Sequence, residues 1–590
     1  MKPEGPLELV AQRDTKQLMD VALGSLPADL VITNAVFVNV YTAEIQQGMT
    51  IAVKGQWIAC AGPAAESFVD AETRVIDAAG KTVIPGLIDG HTHLASLFCV
   101  DQFLREVIRC GTTTIVTESL EPFPVAGLDG VLDFLNSLAD QPIKIFATAP
   151  AMVSTSPAAM GIEPDELQTI LKRGDVLGIG ESYWQALLQA PDKLLPELAA
   201  AAALGKTVEG HSAGARGNKL QAYAATGVSS CHESITAEET LERLRLGIYV
   251  MAREGSIRSD LETIADIQDR GVDLRRLIIS TDGVAPADLI DKGYMEHVLQ
   301  RAIECGFDPV KAVQMATLNV AEHFGIDTVV GAIAPGKCAD MVILPDLATI
   351  RPELVISKGR PVAENGQMLV EPRKHDFSPT SRHTINLQEI KPADFEIAAP
   401  SADQIDVRVI EMVTDLVTSE ATCTVSVSAG KVVCDPGRDL VKVAAVDRSR
   451  APGKTFTGLI RGFGLSAGAV ACSAAWDTSD IIVVGADESD MALCVNRIEQ
   501  LQGGAVVCSR GTVTAELALP VFGIMSELPI PRLSEKIRAV NKAAAGLGVS
   551  FPDPLLTLIT LTGAAIPYFR ICEEGLVNLK DGRVMGLFTD

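Results

Sequence analysis

The chain has 590 residues, 47% hydrophobic and 21% charged, a composition that supports large buried cores and several domains. Its formal net charge of −25, from 50 basic against 75 acidic residues, excludes a nucleic-acid partner, because the summed field repels a phosphate backbone. The mean hydropathy of +0.24 is spread over short segments, none of which reaches the ~18–20 unbroken apolar residues of a membrane span.

Charges interrupt the opening MKPEGPLELVAQRDTKQLMD too often for a signal peptide, so a cytoplasmic protein without a membrane partner is expected. The twelve cysteines are scattered singly from Cys60 to Cys572 with no C-x-x-C pair, which excludes zinc-ribbon and thioredoxin patterns and fits free thiols in a reducing compartment.

In chain order, residues 1–28 form a helical lead-in, with Leu7, Leu9, Val10, Leu18, Met19, Val21 and Leu23 of 5–24 predicting an amphipathic helix. Short β-branched runs follow, among them DLVITNAVFVNV, MTIAVKGQWIACAG and TRVIDAAGKTVIPG, with a hairpin at Val53-Lys54-Gly55-Gln56-Trp57. Similar runs return at 339–347 and 353–369, so 29–84 plus 329–370 are expected to build one small β-sandwich domain.

Between them, 85–328 alternate strands with Ala/Leu/Glu-rich helical runs. The strand candidates are LIDGHTH, TTTIVTE, 143–153, 175–181, 206–211, 227–232, 248–253 and 276–282. Eight strand–helix repeats suit a (β/α)8 TIM barrel in an α/β protein, although segment order alone leaves a doubly wound sheet open. The polar, Pro-bearing stretch 371–400 marks a boundary, and a C-terminal α/β domain over 390–590 follows. There, IIVVGADESDMALCVNRIEQL predicts a strand and a helix capped by Ser489 or Asp490, and GGAVVCSRGTVTAELALP predicts a hairpin.

Four of the eight histidines fall at the ends of predicted strands. His91 and His93 lie in PGLIDGHTHL, and a His-x-His on a strand presents both imidazoles to one face, as a metal ion requires. His211 ends KTVEGH and His232 ends GVSSCH; two acids, Glu181 ending DVLGIGE and Asp282 ending RLIISTD, complete the set. A lone His-x-His is more often structural. Six ligand-type residues at the carboxyl ends of five strands converge in one barrel mouth, where such folds hold their sites, and this pattern decides for the barrel. His297, His323, His375 and His383 lie in helical or linker contexts and read as structural or solvated.

PGLIDGHTH, the run HSAGARGNKLQAYAATGVSSCHESITAEETLERLRLGIYVMAREGS with TDG after it, and the tail GLIRGFGLSAGAVACSAAWDTSDIIVVGADESDMALCVNRIEQLQGG resemble the adenine deaminase branch of the amidohydrolase superfamily. The likeness covers the barrel, both β flanks and the tail. It implies two divalent metal ions, with manganese or iron the usual metals and zinc the alternative. His91, His93 and Asp282 would hold one ion, His211 and His232 the other, and Glu181 would bridge them. It implies a purine-like small-molecule substrate, deamination of adenine to hypoxanthine and a homo-oligomer. Asp282 would act as general base and then acid, and Glu233 would turn in to protonate a ring nitrogen. Arg253, Glu254 and Ser256 would bind the substrate edge, or else form an interstrand ion pair and a helix cap.

Three segments depart from the family pattern. After His93 the chain reads Leu94-Ala95-Ser96 instead of x-Glu-Ser-Ser; Glu118-Ser119-Leu120-Glu121-Pro122 replaces a His-Glu pair; and Ala475-Trp476-Asp477-Thr478-Ser479-Asp480 replaces Ala-His-Asp-Ser-His-Asn. These changes leave open another aminated heterocycle, such as an N6-substituted adenine or a pterin. A cyclic-amide hydrolase is disfavoured, because those enzymes bridge their metals with a carboxylated lysine and no lysine lies between Arg173 and Tyr183. Gly462-x-Gly464-x-x-x-Gly468 and Gly453-Lys454-Thr455 lack the spacing of dinucleotide or phosphate loops and read as turns.

Overall fold

The computed structural model describes residues 4–63, 68–151, 153–399 and 402–589; Met152, inside the expected strand 143–153, lies outside them. The expected lead-in helix is two helices, Pro6–Ala11 and Thr15–Ala22. Asp14 separates them because its side chain accepts from Gln17 N–H as the N-cap of the second. Leu9, Leu18 and Val21 are buried, whereas Leu7, Met19 and Leu23 face solvent.

Eight strands form the centre: Leu87–Thr92, Thr112–Thr117, Lys144–Ala149, Val176–Tyr183, Thr207–His211, Ser230–Cys231, Tyr249–Arg253 and Leu277–Ser280. The first five are parallel neighbours in one sheet and the last three in another. Two backbone hydrogen bonds join the sheets, Ser229 N–H to Val208 O at 2.9 Å and Asp282 N–H to His91 O at 3.0 Å. The strands therefore close into a barrel. Ile88, Val116, Phe146, Leu177, Met251 and Ile278 pack together with Val320 and Phe324. Their chain neighbours Leu87, Ile115, Ile145, Val176, Val250 and Leu277 pack in a second cluster with the helices. That period of two, with both faces buried, is why these strands read as nearly continuous apolar runs.

Strands from both flanks of the barrel share one nine-stranded sheet. Thr82–Pro85 pairs antiparallel with Met341–Leu344, Val83 opposite Ile343. The expected hairpin at Val53–Trp57 is present, with Gly55 at φ +59, a left-handed turn position that glycine occupies without strain. The buried pair Lys144 Nζ–Asp340 Oδ2, 2.8 Å apart, ties this sheet to the barrel.

A second nine-stranded sheet spans Gln404–Met412 to Thr512–Ala518 and packs against helices Glu488–Leu501 and Ile530–Gly546. The first of these helices is capped by Asp487, whose side chain accepts from Asp490 N–H, and not by Ser489 or Asp490. The aspartate one turn earlier has the extended backbone that a cap requires. This part of the chain docks onto loops that follow barrel strands. Leu97–Phe98 pairs in parallel with Met525–Ser526. Ser154 Oγ donates to Asp477 O, Thr155 Oγ1 to Thr562 O at 2.9 Å, and Ser156 Oγ to Glu573 Oε1 at 2.6 Å. No described helix is long and apolar enough to cross a membrane, and every cysteine is free.

Candidate active site

Asp89, inside the barrel's first strand, is bound to the residue that follows its last strand. Asp89 accepts from His91 N–H at 3.2 Å and Thr281 N–H at 3.3 Å through Oδ1, and from Thr281 Oγ1 at 2.6 Å and Tyr294 Oη at 2.5 Å through Oδ2. Asp282 follows with φ +54, an uncommon conformation that turns its carboxylate toward His91 and His93.

All six residues anticipated as metal ligands meet there. His91 Nε2 lies 3.2 Å from Asp282 Oδ1 and 3.3 Å from Glu181 Oε1; His93 Nε2 lies 3.5 Å and 3.7 Å from the same atoms. His232 Nε2 lies 3.0 Å from Glu181 Oε1. Glu181 with His211 and His232 forms a second group of atoms within 4.8 Å of one another, so Glu181 belongs to both halves of the cluster. The rings of His91 and His232 stack at 4.1 Å, and His211 meets His232 edge-on at 5.0 Å.

These residues fit divalent cations. Ligand atoms sharing one ion at about 2.1 Å stand roughly 3–3.4 Å apart, and the short nitrogen–oxygen separations here fall in that range. His91 Nε2 is buried and makes no hydrogen bond of acceptable angle despite two nearby carboxylates, as expected of a lone pair aimed at a common centre. Burial opposes charge on both partners, yet the neighbouring carboxylates push His91 up to about 10, and the histidines hold Glu181 and Asp282 well below the usual carboxylate range. That is the negative potential a dication would occupy.

A carboxylate outside the cluster orients one of its imidazoles, and a second lies near another. His93 Nδ1 lies 2.7 Å from Glu121 Oε1; a carboxylate only accepts, so Nδ1 donates and Nε2 keeps its lone pair free. Glu118 Oε1 lies 3.7 Å from His91 Nδ1, and burial pushes its carboxyl up to about 7 against the pull of His91. Glycine at 180 is required by this arrangement, because a Cβ there would stand 1.8 Å from Glu118 Oε2. Tyr183 Oη donates to Glu181 Oε2 at 3.1 Å.

Glu233 does turn inward. Its Oε1 lies 3.4 Å from His211 Nε2 and 3.5 Å from His232 Nε2, and it pairs with Arg253. Arg253 is buried and engaged by three carboxylates: Nη1 meets Glu233 and, at 3.1 Å, Asp282 Oδ2, while Nε meets Asp260 Oδ2 at 3.0 Å. Burial raises the Glu233 carboxyl, but Arg253, His211 and His232 together hold the group below its ordinary range. Glu254 accepts from Ser259 Oγ at 2.5 Å. Ser256 Oγ donates to Asp288 Oδ2 and accepts from Ala285 N–H, both at 2.7 Å. Each of the three residues expected at the substrate edge thus has a protein partner, although Arg253 Nη2 is buried without a hydrogen bond.

His323 Nε2 lies 2.8 Å from Glu209 Oε2 and His375 Nε2 2.7 Å from Asp133 Oδ1, both apart from the cluster. Sequence reasoning missed Asp89, Glu118, Glu121, Asp260 and Asp477. Asp89 stands inside PGLIDGHTH and Glu118 and Glu121 inside the departure after the second strand, so position in the motif was the available signal. Asp477 lies in the C-terminal half, and burial pushes its carboxyl up to about 7, with Glu181 and Glu121 acting in the same direction.

The amidohydrolase family model matches residues 82–362, and the adenine deaminase C-terminal domain matches 415–583. An adenine deaminase of Moorella thermoacetica is 38% identical over 586 residues, covering 98% of each chain. The chain belongs to the adenine deaminase family. Another family member, from Clostridium botulinum (strain 657 / Type Ba4), is 34% identical over 98% of both chains. A solved enamidase, itself an amidohydrolase superfamily member, is 20% identical, covering 58% of this chain and 99% of its own, with a TM-score of 0.46. Adenine deaminase family members are hydrolases of C–N bonds, and the His/Glu/Asp cluster of this one suits divalent metal.

Proposed function

We propose that the protein deaminates adenine, converting adenine and water to hypoxanthine and ammonia. The observation that carries this reading is the meeting of four imidazoles and two carboxylates at the barrel mouth, in a chain whose full-length relatives are adenine deaminases. His91, His93 and Asp282 would hold one cation, His211 and His232 another, with Glu181 between them; manganese or iron suits this mixed nitrogen and oxygen set. Bound cations would lower the pKa of water toward ~7, so that a nucleophile is available at neutral pH.

The chain's own groups supply the remaining steps. The oxygen of a water bonds to ring carbon C6 while the C6=N1 electron pair moves to N1; one of the water's protons reaches N1 through Glu233, and Asp282 takes the other. The C6–N bond then breaks, and Asp282 returns that proton to the departing nitrogen, which leaves as ammonia. Arg253 holds Asp282 Oδ2, so Oδ1 keeps its aim at the cluster. Glu233, whose Oε1 lies beside His211 and His232 and pairs with Arg253, would fill that ring-protonating role.

The test is ammonia release from adenine, N6-methyladenine, guanine and aminopterins by protein loaded with manganese or with iron. Turnover of adenine is expected. Silence across the panel removes the deaminase reading, and turnover of a pterin alone would replace adenine as the substrate.

A further inference from the structure

The fourth and fifth barrel strands, Val176–Tyr183 and Thr207–His211, carry Glu181 and His211. Their parallel pairing shifts register between Ile179 and Ser182, and Glu181 lies within that irregular step. A step of this kind re-aims a side chain and locally disrupts the ladder.

A side chain from outside the sheet ties the two strands at this place. Tyr223, on the helix Gly217–Ala224, is fully buried. Its hydroxyl accepts from His211 N–H at 2.9 Å and donates to the carbonyl of Ser182, the residue after Glu181. Gly210 allows the approach, because a Cβ there would stand 2.7 Å from that hydroxyl. The tie extends toward His232: Ser212 Oγ, one residue past His211, lies 2.8 Å from Cys231 Sγ, one residue before His232. Glu181, His211 and His232 form one of the two halves of the cluster. The other half is joined by separate bonds, Asp282 N–H to His91 O, and His91 and Thr281 N–H to Asp89 Oδ1.

We propose that Tyr223 is a positioning residue for the cation of the Glu181, His211 and His232 half, its hydroxyl setting the spacing of the strands that carry Glu181 and His211. This rests on the two-cation reading above. Tyr223 acts through the backbone of the ligands, so its loss loosens one half of the site and spares the other.

Tyr223→Phe removes the hydroxyl and keeps the ring. Thr418→Val is the comparison, because it deletes another buried hydroxyl, one that donates to Phe569 O at 2.5 Å in the C-terminal half. Manganese is titrated into the metal-free proteins and followed by calorimetry and electron paramagnetic resonance, and the thermal unfolding of each is measured. Wild type is expected to bind two ions with a spin-coupled signal. Tyr223→Phe is expected to bind one of them about 10–100-fold more weakly and the other nearly as before. The signal of an isolated ion then persists at manganese levels that give wild type its coupled signal. Thr418→Val is expected to lower Tm and to bind both ions as wild type does. Hydrogen exchange of metal-free wild type gives an answer independent of any variant: the His211 amide is expected to exchange slowly, and rapid exchange there overturns the proposal. A wild type that takes up no second ion overturns the two-cation reading and this proposal with it. Two ions of wild-type affinity in Tyr223→Phe, an equal weakening of both, or the same selective loss in Thr418→Val overturns the proposal alone.

Discussion

The backbone N–H of Asp282 donates to the carbonyl oxygen of His91 at 3.0 Å. This bond closes the barrel between its last and first strands, and it joins two proposed ligands of the same cation. Fold closure and site assembly are therefore one event, since any slip between these strands would move the Asp282 carboxylate away from His91 and His93.

Asp282→Asn keeps the shape of the side chain and removes its charge and basicity. Ammonia release is expected to fall by about 10²–10⁴-fold, the range of a general acid–base group, and bound metal by elemental analysis to fall as well. Full activity in this variant would exclude Asp282 from proton transfer.

Asp260 touches none of the proposed ligands but anchors Arg253, which holds Asp282 and Glu233. Asp260→Asn is expected to lower kcat about 10–100-fold, as outer-shell changes do, with KM and metal content near wild type. Asp260→Glu should recover part of the loss. A loss of folded protein with unchanged kcat per metal-loaded site would instead assign Asp260 to stability alone.

Glu121 fixes the tautomer of His93. Glu121→Gln can present its NH2 to Nδ1 and shift the ring proton onto Nε2, so metal affinity is expected to drop about 10–100-fold. Competition with a chelator reads this directly, and equal chelator resistance in both proteins would contradict the orientation described above.

Glu197 is buried on the helix Pro191–Ala203, and burial pushes its carboxyl from 4.5 up to about 7. The folded state therefore favours the protonated form. The group costs nothing below pH 4.5; between there and about 7 the unfolded chain ionises first and stability falls, by up to about 3 kcal/mol above that range. Glu197→Gln should be neutral near pH 4 and raise Tm clearly at pH 8. A Tm difference independent of pH would show that the carboxyl titrates normally.

Lys144 and Asp340 form a buried ion pair between the barrel and the flanking sheet. Lys144→Met leaves Asp340 uncompensated and is expected to cost about 3–5 kcal/mol. Lys144→Met combined with Asp340→Asn should recover most of that in denaturant unfolding, whereas additive losses would mean that the pair does not interact.

Much of the barrel was legible in the chain alone. Each strand is a short apolar run with its own period, and the six proposed ligands stand at or near strand ends, so local pattern placed them on one rim. His91, His93, Glu181, His211, His232 and Asp282 could be named because imidazoles and carboxylates at successive rim positions have few other uses. Tertiary structure alone decided which groups serve them. Glu118 and Glu121 reach His91 and His93 only because the first two strands are neighbours, and Asp260 reaches Arg253 across a loop. A side chain's secondary structure follows from its near neighbours in sequence, but its partners depend on where distant segments pack once the barrel has closed.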